Sequence, residues 1–241
     1  MNIVIINGTE QKGSTFAMKE MFLDAVGRDH TVTEYDLPRD CPEFCTGCKA
    51  CFYKDISVCP HARYTVPIWE AISAADLLVF ASPVYAFHAT AQTMALLDHY
   101  CTKWMAHSPE KQMFSKQAVV ITNAAGAGMK NVVKDIGDSL HYWGVARVYG
   151  IKQGLFESHW TQVTDKRKAN IRKQCERVRR RLNTAGIVKP APGIKVRFYI
   201  MRMVQKMIHK DLIKKGQPET IDHIHWTQSG WLGGDKPWKN I

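Results

Sequence analysis

The sequence predicts an α/β fold: a doubly wound sheet of five parallel strands with helices on both faces, followed by a C-terminal helical and irregular extension. Three observations predict it. Strand-like and helix-like stretches alternate five times along the first three quarters of the chain. Several strand-like runs, NIVIIN at 2–7, LLVFA at 77–81 and QAVVIT at 117–122, are almost wholly apolar, the mark of strands covered on both faces. Each of these three runs feeds into a loop of small or polar residues at its carboxyl end, where a doubly wound sheet binds its ligand.

Strand 2–7 runs directly into Gly8 and a polar loop. Ser14 is placed to cap a helix over 14–26, with Met18, Met21, Phe22 and Ala25 along one face. A second strand covers 30–37, closed by Pro38. Beyond a cysteine-rich loop come a helix over 67–75, the strand 77–81, a long helix over 90–105 and the strand 117–122. A helix over 130–143 ends at Gly144, a fifth strand covers 145–151, and a further helix covers 165–182. The run Lys189-Pro190-Ala191-Pro192-Gly193 reads as a linker, so residues 1–187 form one domain and 188–241 an appended tail.

No apolar run reaches the roughly 18 residues of a membrane span, and the first segment lacks the cationic start of a signal peptide. Seven cysteines, an odd number of which four crowd between Cys45 and Cys59 in C-x2-C spacing, suit reduced thiols or metal chemistry rather than a secreted disulfide framework. The expected compartment is the cytoplasm. The net charge of +11 is local: between 166 and 215, 17 Lys and Arg face only Glu176 and Asp211, so the rest of the chain is net acidic. No nucleic-acid partner is expected; the basic stretch suits a solvated helix flank or a face for an acidic partner.

Three loops carry the chemistry. Gly8-Thr9-Glu10-Gln11-Lys12-Gly13-Ser14-Thr15 offers hydroxyls (Thr9, Ser14, Thr15), a cation (Lys12) and backbone N–H groups at a helix start, a site for a phosphate dianion. In Ala81-Ser82-Pro83-Val84-Tyr85-Ala86, Pro83 fixes the backbone and Tyr85 supplies an aromatic face for a flat ring, with Val84 and Ala86 alongside. In Asn123-Ala124-Ala125-Gly126-Ala127-Gly128, small residues let the backbone approach a ligand edge; Asn123, Ala124, Gly126 and Gly128 are the candidates.

These loops resemble those of the flavodoxin-like NAD(P)H-dependent FMN reductases, whose phosphate loop is typically GSPRK-G-(N/S)-T and whose ring loop is (G/A)SP(V/I)Y. The resemblance covers about residues 1–185. It implies a flavodoxin-like FMN-binding domain, FMN held by the three loops, NAD(P)H as co-substrate, and electrons passed to a small-molecule or protein acceptor. No protein residue is implied as acid or nucleophile, and a homodimer is implied because relatives place the flavin near a subunit interface. Glu10-Gln11 replaces the family's Pro-Arg, so Glu10 must point away from the phosphate.

Cys45-x2-Cys48-x2-Cys51-x7-Cys59 places four thiols within fifteen residues. The pattern resembles the iron-sulfur flavoprotein branch of the same superfamily, which implies a [4Fe-4S] cluster on Cys45, Cys48, Cys51 and Cys59. Reduced thiols in a packed loop and a zinc site stand beside that reading. With a cluster, the alternative function is an electron-transfer module fed by ferredoxin and lacking NAD(P)H activity; a redox-sensing regulator bound to nucleic acid or membrane is a second. After Cys59 the chain reads His61-Ala62-Arg63-Tyr64-Thr65 where relatives often carry an Asp-Asp pair. In the tail, 194–213 reads as a basic amphipathic helix, and Trp226, Trp231 and Trp238 lie among glycines in a segment predicted to wrap the body or a neighbouring subunit, near the flavin.

Overall fold

The computed structural model describes residues 1–157, 159–183 and 188–239. Its sheet consists of β1 (Asn2–Asn7), β2 (Thr31–Asp36), β3 (Leu77–Ala81), β4 (Gln117–Ala124) and β5 (Arg147–Gly154), all parallel, in the order β2-β1-β3-β4-β5. The order reverses between β1 and β3, and the crevice at that reversal is where a doubly wound sheet receives a ligand. The predicted fold class holds.

Period-two alternation sorts the strand side chains into two cores. Ile3, Ile5, Leu77, Val79, Val119 and Ile121 pack on α1 (Ser14–Val26) and α6 (Asp165–Arg179) through Met18, Phe22, Ile171, Cys175 and Val178. Val4, Ile6, Leu78, Phe80, Ala118 and Val120 face the other way. They meet α3 (Ala62–Ala74), α4 (Ala91–His99) and α5 (Met129–Trp143) through Ile68, Trp69, Leu96, Ile136 and Trp143. Trp69, Tyr100 and Trp143 form an aromatic knot, with Trp69 and Trp143 edge to face at 5.1 Å.

Several boundaries differ from the sequence reading for local reasons. The cap of α1 is Gly13, and Ser14 is the first helical residue. Helix α3 starts five residues before Pro67, because burial of Thr65 joins Ile68, Trp69 and Ile72 on one face and outweighs the amide that Pro67 lacks. The helix expected to run to 105 stops at His99. Tyr100 is buried and donates to the Thr65 carbonyl (2.8 Å), and the chain turns through a 3₁₀ segment, Cys101–Lys103. Strands β4 and β5 reach Ala124 and Gly154, longer than predicted, because their ends pair residue by residue from Thr122–Lys152 to Ala124–Gly154. The short helix α2 (Ala50–Tyr53) lies inside the cysteine-rich segment.

The tail forms a third core. Helix α7 (Pro192–Lys214) begins within the predicted linker, and α8 (Ile221–Gln228) follows. Phe198, Trp226, Trp231 and Ile194 bury against Met105 and Phe114 of the body, with Phe198 stacked on Trp226 at 5.1 Å. The Trp226 indole donates to the His107 carbonyl (2.8 Å), and Gln205 donates to the Ala106 carbonyl (2.8 Å). The tail thus wraps the body as predicted, and α8 borders the cysteine-rich segment: with Cys51, Lys54 and Asp55 it lines a hollow of ≈390 Å³. The predicted boundary at 187 lies outside the described residues. Among those described, no helix is long and apolar enough to cross a membrane.

Trp226→Ala removes the centre of the third core and is expected to destabilise the chain by about 3–5 kcal/mol in urea denaturation, with α7 becoming the first site of limited proteolysis. A second prediction concerns Lys116, buried at the start of β4 with its ammonium donating to the Ala75 carbonyl. Burial lowers its pKa from 10.5 to about 8. Between those values the unfolded chain holds a proton that the folded chain has lost, so this group's contribution to stability rises with pH across that window. Lys116→Met is expected to stabilise the fold by about 2 kcal/mol at pH 7. The gain vanishes towards pH 10.5; a gain independent of pH assigns it to packing alone.

Candidate functional site

The three loops converge at the carboxyl edge of the sheet. Loop 8–13 is pinned to β3 by the Gly8 amide, which donates to the Ala81 carbonyl (2.8 Å), while Thr90 Oγ1 donates to the Gly8 carbonyl (2.7 Å). Gly8 sits so close to the loop after β3 that a Cβ there would meet the Thr93 hydroxyl, with Thr90 Oγ1 at 2.8 Å and Ser82 Oγ at 3.0 Å. Thr90 also caps α4 by accepting from the Thr93 amide (3.3 Å). Ser82, Thr90 and Thr93 are fully or almost fully buried.

Helix α1 opens at the crevice without a side-chain cap and without an acid in its first turn. Its first N–H groups therefore point at open space with the positive end of the helix dipole. A cavity of ≈270 Å³ lies there, lined by Thr9, Lys12, Thr15, Asn7, Glu34 and Asp36 among others. A larger hollow of ≈590 Å³ lies between α1 and α6, and one of ≈530 Å³ lies between α6 and Gln153 near the end of β5. Lys12 forms no ion pair among the described residues, and the Ser14 hydroxyl has no partner there either. Thr9 Oγ1 accepts from the Gln11 amide (3.2 Å) and keeps its proton for a ligand. Thr15 donates its hydroxyl proton to Asn123 Oδ1, so it offers an anion its backbone N–H. Glu10 also lines the cavity, and its carboxylate accepts from the Arg39 amide (3.1 Å).

Two of the acids that line the cavity, Glu34 and Asp36, are paired locally. Glu34 receives the buried Lys19 ammonium (2.7 Å) and the Asn7 amide (2.9 Å); Asp36 receives Asn7 (2.7 Å) and Arg39 (3.0 Å). A phosphate beside Lys12 thus meets few uncompensated negative charges.

After β3, the Val84 amide donates to the Asn123 carbonyl (3.0 Å), so Val84 has an apolar side chain, not an N–H, to present. Tyr85 and His88 exchange backbone hydrogen bonds of 2.9 Å around Ala86 and Phe87, both at positive φ (47° and 67°). That is a tight two-residue turn built without glycine, at a cost of about 1 kcal/mol or more per residue. Asn131 holds it by donating to the Phe87 carbonyl (2.9 Å), and Asp135 accepts from the Ala89 amide and contacts His88 Nδ1, both at 3.2 Å. Gly128, at φ 94°, closes the other side, where a Cβ would lie 2.6 Å from Val84 Cγ1. The amides of Ala125, Gly126 and Ala127 have no acceptor among the described residues and face solvent. Tyr85, Phe87 and Phe156 are about half exposed or more.

The cysteines divide. Cys41, Cys101 and Cys175 are pushed up to about 11 by burial, and Cys51 is raised by burial first and then by Cys59. Cys45 and Cys48 are exposed. Among the described residues, Cys59 gathers with His61 and His99 into a set of ligand atoms within 4.8 Å of one another, and Cys45, Cys48 and Cys51 belong to no such set.

Sequence reasoning missed Ser82, Thr90 and Thr93 as the clamp, Lys19 as the buried counter-ion, and Phe87, Phe156 and His99. Thr90 and Thr93 carried a signal, a Thr three residues before another at a helix start. Phe156 and His99 carried none, since their neighbours are distant in sequence.

The sequence model described as NADPH-dependent FMN reductase matches residues 1–157. No curated protein matches significantly. Among solved structures, the chain is similar to an FMN-dependent NADH-azoreductase from Bacillus anthracis (14% identity, TM-score 0.56, covering 74% of this chain and 98% of that one). It is also similar to an NADH:FMN oxidoreductase (21%, 0.52, 78% and 94%) and to an oxidoreductase from Corynebacterium diphtheriae (18%, 0.54, 74% and 93%). At these identities the structural likeness is one of fold.

Gly8→Ala forces a methyl into the hydroxyl clamp and is expected to cost about 1–3 kcal/mol of stability in urea denaturation. Thr90→Val, which removes the bond to the Gly8 carbonyl without changing shape, is expected to cost about 1–2 kcal/mol. A neutral Gly8→Ala would show that the loops are not held as described.

Proposed function

Because the chain belongs to the NADPH-dependent FMN reductase family and is an NAD(P)H-dependent flavin oxidoreductase, we propose that its FMN lies across the β1/β3 crevice, held by the three loops. The observation that carries this is the uncapped start of α1, facing a cavity with Lys12 at its side. The residues fit the group. The first amides of α1, the Thr9 and Ser14 hydroxyls, the Thr15 amide and Lys12 bind the phosphate. Pro83, Val84, Tyr85 and Ala86 wall the ring. Asn123, Ala124, Gly126 and Gly128 shape the backbone whose free amides, at Ala125 to Ala127, reach the ring's carbonyl oxygens. When bound, FMN supplies electron exchange between the nicotinamide donor and the acceptor.

We read the acceptor as a flat aromatic small molecule. The half-exposed Tyr85, Phe87 and Phe156 form an aromatic rim at the mouth, with Phe156 backed by Arg167 at 4.9 Å. The azoreductase among the neighbours is consistent with such a substrate class. The same rim is the surface on which a second copy of the chain would close the site as a homodimer. Cys45, Cys48 and Cys51 are read as reduced thiols in the cytoplasm rather than as part of a four-thiolate cluster, since Cys59 stands with His61 and His99. That reading favours a nicotinamide-fed reductase over a ferredoxin-fed module.

Anaerobic addition of NADPH or NADH to the purified protein is expected to bleach the flavin absorbance, and a quinone or azo dye to restore it. Bleaching by reduced ferredoxin alone overturns the reductase reading. Lys12→Ala is expected to weaken FMN binding about tenfold, read by flavin fluorescence, with the reduction rate per bound FMN unchanged.

A further inference from the structure

The cluster at Cys59, His61 and His99 is not used by the flavin site. Cys59 follows a 3₁₀ turn, His61 precedes α3 and His99 is the last residue of α4, so three separate elements bring them together. One ligand-type atom from each lies within 4.8 Å of the other two. His99 is almost fully buried, and its Nε2 lies 3.0 Å from the Glu43 carbonyl. That carbonyl can only accept, so Nε2 carries the proton and Nδ1 keeps its lone pair. Nδ1 faces Cys59 Sγ at 4.0 Å.

The remaining contacts point the same way. The His61 amide donates to Cys59 Sγ (3.5 Å), which holds the sulfur beside the imidazole. His61 Nδ1 is buried with no hydrogen-bond partner among the described residues, and the two imidazoles stand edge to face at 5.3 Å. An imidazole whose far nitrogen is anchored on a backbone carbonyl, with its near nitrogen bare, is the arrangement that orients a metal ligand. Ligand atoms about a tetrahedral Zn²⁺ lie about 3.5 Å apart, from bonds of about 2.3 Å to sulfur and 2.0 Å to nitrogen. Small side-chain shifts bring this set to that spacing.

We propose that Cys59, His61 and His99 form a mononuclear Zn²⁺ site with its fourth position open to solvent. Two imidazoles and one thiolate suit Zn²⁺ and not the oxygen-seeking Mg²⁺ or Ca²⁺. The ion ties the cysteine segment to α3 and α4, and it withholds Cys59 from any four-thiolate centre. Binding displaces the Cys59 thiol proton to solvent.

The test is a titration of the metal-stripped full chain, FMN present, with Co²⁺ and then Zn²⁺, followed by difference absorbance and calorimetry. One equivalent of Co²⁺ is expected to give tetrahedral visible bands and a sulfur-to-cobalt charge-transfer band, both lost on adding Zn²⁺. Cys59→Ser is expected to abolish the charge-transfer band, and His61→Ala to weaken affinity more than about tenfold, with far-UV circular dichroism unchanged in both. Replacing Cys45, Cys48 and Cys51 together by Ser is expected to leave stoichiometry and spectrum intact. Loss of binding in that triple variant, or no Co²⁺ uptake by the wild type, overturns the site. Neither readout depends on flavin reduction, so the site can fail while the reductase reading stands.

Discussion

The close approach of the Gly8 backbone to the hydroxyls of Ser82, Thr90 and Thr93 is the constraint on which the site depends. Two strands that are neighbours in the sheet but seventy residues apart in sequence must end level, with their loops interlocked, before a crevice exists between them. The hydroxyls serve because each can donate and accept in a buried place where an unpaired group would cost about 1–3 kcal/mol. The third loop joins through Thr15 with Asn123 and through the Val84 amide with the Asn123 carbonyl, so Asn123 bridges the start of α1 and the loop after β3.

Electrostatics then decides what the crevice accepts. A parallel sheet leaves the amino end of α1 at the crevice, and the lack of a cap keeps that positive end available. The acids at the end of β2 would oppose an anion, but Lys19 and Arg39 pair with them and the Asn7 amide donates to both. Lys19 is wholly buried, and its burial is tolerable because Glu34 and Glu20 both lie within salt-bridge distance of its nitrogen. The strain held in the Ala86–Phe87 turn has the same logic: the neighbouring Gly128, Asn131 and Asp135 over-determine a backbone that it would not adopt alone.

The apolar runs made the sheet legible, since buried parallel strands need continuous hydrophobic residues and little else satisfies that need. The loops after β1, β3 and β4 were legible as loops for a similar reason: their small and polar residue types act locally, on the backbone that carries them. Helix ends were less so. The stop at His99 depends on Tyr100 reaching the Thr65 carbonyl, a partner 35 residues away, and the early start of α3 depends on which face of it the core covers. The tail was legible as amphipathic and aromatic, but the residues that complete its core, Met105 and Phe114, belong to a body segment with no distinguishing pattern.

The sequence by itself determined the alternation of elements, the parallel sheet, the three loops at the strand ends and the presence of a soft-ligand cysteine segment, because each follows from periodicity or from residue chemistry within a short window. Tertiary structure alone decided which side chains face one another: Thr90 against Gly8, Lys19 against Glu34, and His99 against Cys59, forty residues apart. The spacing of four cysteines suggests a centre of four sulfurs, and only the packing of α3 and α4 shows that two imidazoles also stand beside the fourth sulfur.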